Sequence, residues 1–451
     1  MSFTSSENHE KQPLLTSESS QNYHNRHGTN ESLEGSHFVE VNPGGLSVIK
    51  CAIFIIAQMA GSGILALPDA VSGTGWTGIF LIVALGSLAC YCGTMLGKCW
   101  VIIRRENNIP GHVRDPYPLI GYYAGGKKGK YVVEFCVMIT LLGASVVFLL
   151  LSAREVSSIL DVSIGSFNTQ KTEFRIWLLV IGGILIPCTW FASPKEMWLF
   201  AYGASLCTII ACWMIVIRAC MQIARDGIAP ASARKDPTAE GFFNAFGTIA
   251  FAFGGGAIFP TFQADMEKPS KFVYSAILGF AGVLSLYMPV AILPYIGLGS
   301  NLDTNILTTM KNLEGDGHTL ILAAECLITF HLLFAVIILN NPISQQIEEH
   351  IGIEHKFGWR RILCRSGIMV LVMGLAELFP NFGPVLSFIG ASTVTMMSFI
   401  LPAIFYLCLQ HSELVSLHQK VFHYEIILIS LIFGCAGIYS SVQGFSNPFK
   451  A

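Results

Sequence analysis

Polar residues fill positions 1–43, and from Leu46 the chain turns into long apolar runs joined by short polar links. A helix that crosses a bilayer needs about 20 mostly apolar residues. Eleven runs reach or approach that length: 46–71, 76–103, 131–151, 174–191, 197–217, 243–262, 272–298, 320–341, 362–379, 385–409 and 421–442. None shows the apolar–polar alternation of a half-buried strand. The pattern predicts an all-α membrane protein of eleven transmembrane helices. Residues 1–43 form a cytosolic tail without a fold of its own, 44–443 the transmembrane domain, and 444–451 a short tail on the non-cytosolic side.

Composition agrees. The 451 residues are 53% hydrophobic and only 12% charged, against about 25% charged in soluble domains, and mean hydropathy is +0.58. A net charge of −2 supplies no field that would gather nucleic acid. Of the 13 cysteines, Cys51, Cys136, Cys188, Cys207, Cys212, Cys326 and Cys435 lie inside apolar runs and read as small packing residues. Cys90 and Cys92 are two apart on one predicted helix and point to different faces, and no Cys-x-x-Cys occurs. No metal site and no cofactor is expected.

Basic residues set the orientation. With the N-terminus in the cytosol, inner segments hold eighteen of the 27 lysines and arginines, including the run Lys98, Arg104, Arg105, Arg114, Lys127, Lys128 and Lys130. Nine fall outside, among them Arg154, Arg218, Arg225 and Lys311. The odd number of spans then places the C-terminus outside.

The tail has no apolar core and is no signal peptide. Its composition cannot bury enough surface to fold alone. Within it, Glu10-Lys11-Gln12-Pro13-Leu14-Leu15 fits an acidic dileucine sorting signal, with Glu10, Leu14 and Leu15 as the residues a cytosolic sorting adaptor would read. This points to a lysosomal, endosomal or vacuolar membrane, with the plasma membrane as the alternative. Asn30-Glu31-Ser32 is a sequon, but a cytosolic tail does not meet the glycosylating enzyme.

Two of the spans carry helix-breaking clusters. The first contains Gly61-Ser62-Gly63-Ile64-Leu65-Ala66-Leu67-Pro68, and the sixth Phe253-Gly254-Gly255-Gly256-Ala257-Ile258-Phe259-Pro260. Glycine weakens a helix through entropy, and proline through its missing N–H and its ring. Such backbone survives at membrane depth only where protein or a water-filled cavity satisfies its polar groups. Paired interrupted helices five spans apart are the pattern of an inverted repeat, and they point to a transporter's binding site. A half-helix N-terminus offers N–H groups to a carboxylate, and unwound carbonyls accept from an ammonium. The alternative is close helix packing through small residues.

With these motifs the chain resembles the amino acid/auxin permease superfamily of amino acid transporters. A weaker third feature is Gly390 with Pro402 in the tenth run. The resemblance covers about residues 44–442. It implies a five-plus-five inverted repeat of the LeuT-like (APC) fold, with helices 1 and 6 broken and an eleventh helix appended. It implies a secondary active transporter working by alternating access. Substrate contacts would come from Gly61, Ser62, Gly63, Gly254, Gly255 and Gly256, with Ile64 beside them. Two departures leave the coupling ion open. Some proton-coupled members carry a histidine in the first half of span one, and 44–68 has none. Sodium-coupled members use hydroxyls near the middle of span eight, and 330–340 has no Ser or Thr.

Span eight does hold two ionisable residues, Glu325 and His331. Such groups are costly inside a membrane. His331 lies near mid-span and titrates near physiological pH. A role in proton symport stands against that of a neutral histidine hydrogen-bonded between helices. Glu325 lies nearer the outer end and is expected to be wetted, as are Glu134, Arg154, Glu155 and Glu377 at span ends. Neither broken segment is charged at its centre, which favours small neutral amino acids. The expected partners are therefore an amino acid, a proton (sodium less so), the bilayer and sorting adaptors.

Gly73, Gly75 and Gly78 match the dinucleotide pattern Gly-x-Gly-x-x-Gly, but they follow a membrane span and not a strand, so they read as an outer turn. No metalloprotease, Gly-x-Ser-x-Gly or Walker motif supports an enzyme, and no pore-ring pattern supports a channel. An amino-acid sensor that binds without appreciable transport would share the fold and site, and stays open as the alternative function.

Overall fold

The computed structural model describes residues 44–107, 109, 113, 115–160, 170–190, 194–353, 358–410 and 416–446. The dileucine residues Glu10, Leu14 and Leu15 lie outside them. Among the described residues the chain is helical, with one isolated backbone bridge between Leu46 and Met266.

The first run is split: α1 spans Val48–Met59, a 3-10 turn Ser62–Ala66, and α2 Leu67–Thr74. The two parts are bent by 54°. Then come α3 (Thr77–Asn107), α4 (Pro116–Leu160), α5 (Gln170–Trp190) and α6 (Pro194–Asp226). The sixth run is again split, into α7 (Ala239–Ala252), a 3-10 turn Gly256–Ile258 and α8 (Phe259–Ala264). After α9 (Phe272–Leu298) a short helix α10 (Ile306–Lys311) leads to α11 (His318–Ile351). The chain ends with α12 (Trp359–Leu378), α13 (Phe382–Ile389), π-helical stretches Gly390–Val394 and Met396–Ile400, α14 (Leu401–Leu409) and α15 (Leu417–Ser446).

Among the described residues nine stretches, and the bent pair α1 with α2 as a tenth, are long and apolar enough to cross a membrane. Helix α12, at 360–365, carries Arg360, Arg361 and Arg365 and falls short of that apolarity. Many large apolar side chains point outward, among them Phe80, Ile184, Ile277 and Leu428. Such a surface suits lipid and would aggregate in water.

The apolar pattern alone predicts no helix over 104–130. In the structure 116–124 is helical, and the chain turns at Gly125 and Gly126 before the long part of α4. This forepart is anchored: the buried Tyr117 hydroxyl donates to the Met397 carbonyl at 2.6 Å. Apolar periodicity misses so short an amphipathic piece. Of the dinucleotide-like glycines, Gly75 caps α2 with φ of 63°, at the turn into α3.

Packing places the breaks at the centre. α1 lies on α9, α2 on α7 and α9, and α7 on α13, α15 and the first π-helical stretch. α11 lies between α4 and α6. Gly390 sits directly on the Gly247 carbonyl, a contact that any Cβ would block.

Candidate substrate site

Both interruptions fall where the glycines put them. α1 ends at Met59, Ala60 has ψ of 72°, and Gly61 is extended at φ −124° and ψ −160°. The new half-helix begins at Ser62, with no side chain capping its first N–H groups. The first N–H groups of a helix have no partner within it, so this end carries free donors and partial positive charge. The sixth run repeats the arrangement: α7 ends at Ala252, and the turn beginning at Gly256 likewise has no side-chain cap.

The two breaks meet. A Cβ added at Gly63 would lie 2.7 Å from the Ala252 Cα, so glycine is needed for these backbones to touch. A Cβ at Gly255 would lie 3.3 Å from Met59 Cγ and 3.4 Å from Gln58 Cγ. Tyr287 of α9, wholly buried, has its hydroxyl 2.6 Å from the Met59 carbonyl oxygen and 2.7 Å from that of Ala252. Farther along, Leu46 N–H donates to the Asp265 carbonyl at 2.8 Å and Glu267 N–H to that of Leu46 at 2.9 Å, tying the start of α1 to the end of α8.

The expected contact residues differ in surroundings. Gly61 has the most room: its nearest neighbour is the edge of Phe148 in α4, 3.5 Å from a built Cβ. The Ser62 hydroxyl is buried and makes no hydrogen bond. Gly63 and Ile64 are buried in packing, the latter with no exposed surface. Gly254 faces Val394, and Gly256 faces Ser398, 3.3 Å from a built Cβ. Those two partners belong to the π-helical stretches, a kind of irregularity frequent at functional sites. Thr140 of α4 reaches the Thr393 hydroxyl at 2.7 Å on the same stretch. The side chains these glycines face are Gln58, Met59, Phe148, Ala252, Val394 and Ser398, and none is charged.

His331 lies in the buried part of α11, its ring 6.1 Å from that of Phe148. Phe148 is thus a common neighbour of His331 and Gly61. The backbone of Ala204 in α6 is a hydrogen-bonding neighbour of the imidazole across the helix interface.

The expected wetting of Glu325 and Glu155 does not hold. Both are buried, at 1% and 2% exposure. Glu325 lies 3.3 Å from Lys311 Nζ and accepts from the Ser158 hydroxyl at 3.0 Å. Lys311 also donates to the Ser158 carbonyl at 2.6 Å. Glu155 accepts from the side-chain amide of Asn305. The short helix α10 and its N-cap supply Lys311 and Asn305 from the link between α9 and α11, beyond the reach of a linear reading. Glu134 pairs with Lys130 at 3.6 Å and Glu377 with Arg175 at 3.4 Å. Arg154 donates to the Pro380 carbonyl at 3.3 Å.

Tyr287, Phe148, Ser398 and the Thr140–Thr393 pair carry no signal in the sequence beyond a lone polar or aromatic group in an apolar run. Only the packing assigns them to the breaks.

Known proteins share the fold and the family. A family model described as transmembrane amino acid transporter protein matches residues 44–446. The chain is 25% identical over 407 residues to amino acid transporter ANT1 of Arabidopsis thaliana, covering 86% of this chain and 91% of that one. It is 27% identical over 376 residues to the lysine histidine transporter-like 6 protein of the same plant, covering 79% and 81%. Among solved structures it resembles MhsT in complex with L-phenylalanine, with TM-score 0.57 and 14% identity over 86% of this chain and 98% of that one. A manganese transporter of Eremococcus coleocola gives TM-score 0.55 and 12% identity over 94% and 92%. At such identities the likeness is one of fold. With a match that runs through both broken helices, the chain belongs to the transmembrane amino acid transporter family, a family of transporters and not of enzymes.

Proposed function

We propose that the protein is a secondary active transporter that moves small neutral amino acids by alternating access, in symport with protons. The observation that carries this reading is the meeting of two uncapped half-helix starts, at Ser62 and Gly256, with two helix ends, at Met59 and Ala252, in one buried place. Free N–H groups suit the substrate carboxylate, and carbonyls of the unwound segments its ammonium. Gly61, Ser62, Gly63, Ile64, Gly254, Gly255 and Gly256 form the contact set, with the open side at Gly61 facing Phe148.

The uncharged neighbours of these glycines support a neutral side chain. A lysine or glutamate side chain bound there would be buried without a partner. His331, which shares the neighbour Phe148 with Gly61, is the favoured proton carrier. Glu325, already paired with Lys311, is a second and outer one. In this reading Trp359–Leu378 also crosses the membrane, its arginines at the inner surface, giving eleven spans built as two inverted five-helix halves plus α15. The N-terminal tail is cytosolic, and Glu10, Leu14 and Leu15 direct the protein to endolysosomal membranes.

Reconstitution in liposomes tests the reading. Labelled alanine should enter saturably, faster with an inward proton gradient, and not in Gly255→Leu, whose side chain would fill the space beside Gln58 and Met59. Strong competition by glutamate or lysine at low concentration would refute the neutral preference. Uptake driven by sodium and indifferent to protons would remove His331 from the mechanism. Binding without uptake would leave a sensor.

A further inference from the structure

We infer that Tyr287 is the positioning residue that holds both unwound segments together through one hydroxyl. Met59 is the last residue of α1 and Ala252 the last of α7. In an unbroken helix their carbonyls would accept from the N–H four residues on, at Gly63 and Gly256. The breaks take those donors away. At both places the Tyr287 hydroxyl stands in, 2.6 Å from one carbonyl oxygen and 2.7 Å from the other. A buried carbonyl without a donor is costly, so this one side chain, within reach of both carbonyls, offsets the loss at whichever takes its hydrogen.

The donor count gives this arrangement its use. A phenol carries one hydrogen. It serves Met59, or Ala252, or is shared between them, and Met59 has a second donor in the Gly61 N–H at 2.7 Å. The ring itself is fixed by packing on Phe253, with centroids 5.3 Å apart, and is wholly buried. Tyr287 lies on α9, outside both broken helices. When one half-helix moves against the other, the hydroxyl keeps the carbonyl that stays and releases the one that leaves. The closed arrangement is thereby held weakly enough to open toward either side. This role rests on transport through the space between the breaks and adds to it a residue that does not line that space.

Tyr287→Phe keeps the ring and removes the hydroxyl. In lipid nanodiscs without substrate, hydrogen–deuterium exchange at 59–66 and at 252–258 should rise about tenfold in this variant, with α3 and α15 unchanged. In liposomes the half-saturating concentration for labelled alanine should rise about tenfold, while wild-type maximal rate is largely kept. Faster exchange in only one segment would overturn the shared role, and unchanged exchange in both would overturn the inference outright. Faster exchange in both, with a wild type that transports nothing, would keep Tyr287 as the tie and refute transport instead. Should Tyr287→Phe not fold, 3-fluorotyrosine at position 287 keeps the shape and makes a stronger donor. Exchange in both segments should then slow, and no change would overturn the inference.

Discussion

Arg365 and Glu348 face each other at 2.7 Å, Nε to Oε1, with 2% and 0% of their surfaces exposed. The guanidinium also donates to the Thr189 carbonyl at 2.7 Å and to the Asn341 side chain at 3.3 Å, so one residue joins α5, α11 and α12. Arg361 adds a looser contact to the same carboxylate at 3.5 Å. Removing one partner of a buried pair leaves an uncompensated charge and costs about 3–5 kcal/mol, whereas replacing both by apolar groups is often nearly neutral. Arg365→Met and Glu348→Leu should each lower the melting temperature sharply in detergent, and the double substitution should recover most of the loss. Single variants that melt like wild type would show that the pair does not hold these helices.

The glycines of the first break separate by the same kind of measurement. A Cβ at Gly63 meets the Ala252 backbone at 2.7 Å, which has no flexible end to yield. Overpacking of this sort costs about 1–3 kcal/mol. A Cβ at Gly61 meets only the edge of Phe148, at an ordinary 3.5 Å. Gly63→Ala should therefore destabilise the protein, while Gly61→Ala should melt within a few degrees of wild type and yet weaken alanine uptake by filling space at the break. Equal melting of the two variants would contradict this division.

How much of this was legible beforehand follows from what each signal measures. Glycine and proline act on the local backbone, so Gly61 to Pro68 and Gly254 to Pro260 marked both breaks to within a residue or two. Length and apolarity gave the long helices, but not the forepart of α4 or the six residues of α10, which are too short for periodicity to register. Side-chain partners across the bundle were out of reach. Glu325 read as a wetted residue because its lysine lies 14 positions away, in a link that looks like loop. Tyr287 reaches carbonyls 228 and 35 residues distant, a relation that only the packed helices create.

Lys311 reaches Glu325 near the N-terminal end of α11, with Glu155 of α4 and Asn305 beside it. Lys311→Met should destabilise the protein by leaving the buried Glu325 carboxylate without its ammonium. Lys311→Met combined with Glu325→Gln should be less destabilised than the sum of the two single variants, since residues in direct contact do not add. Additive melting shifts would mean that the contact contributes nothing.

The tail offers a test independent of the membrane domain. Leu14→Ala with Leu15→Ala should move a tagged full-length protein from endolysosomal membranes to the cell surface, and Glu10→Ala should do so in part. An unchanged distribution would refute the sorting signal while leaving the transporter reading untouched.

His331 supplies the sharpest distinction between a structural and a working residue. Its ring packs against Phe148 beside the break and meets the backbone of Ala204 in α6. If it carries the coupled proton, His331→Gln, close in size and without a titrating group, should abolish the gain in uptake from an inward proton gradient. Exchange of labelled for unlabelled alanine, which needs no net proton movement, should continue at a rate within a few-fold of wild type. Loss of both activities together with a lowered melting temperature would assign His331 to structure. Retention of the gradient effect would move the proton elsewhere, with Glu325 the next residue to replace.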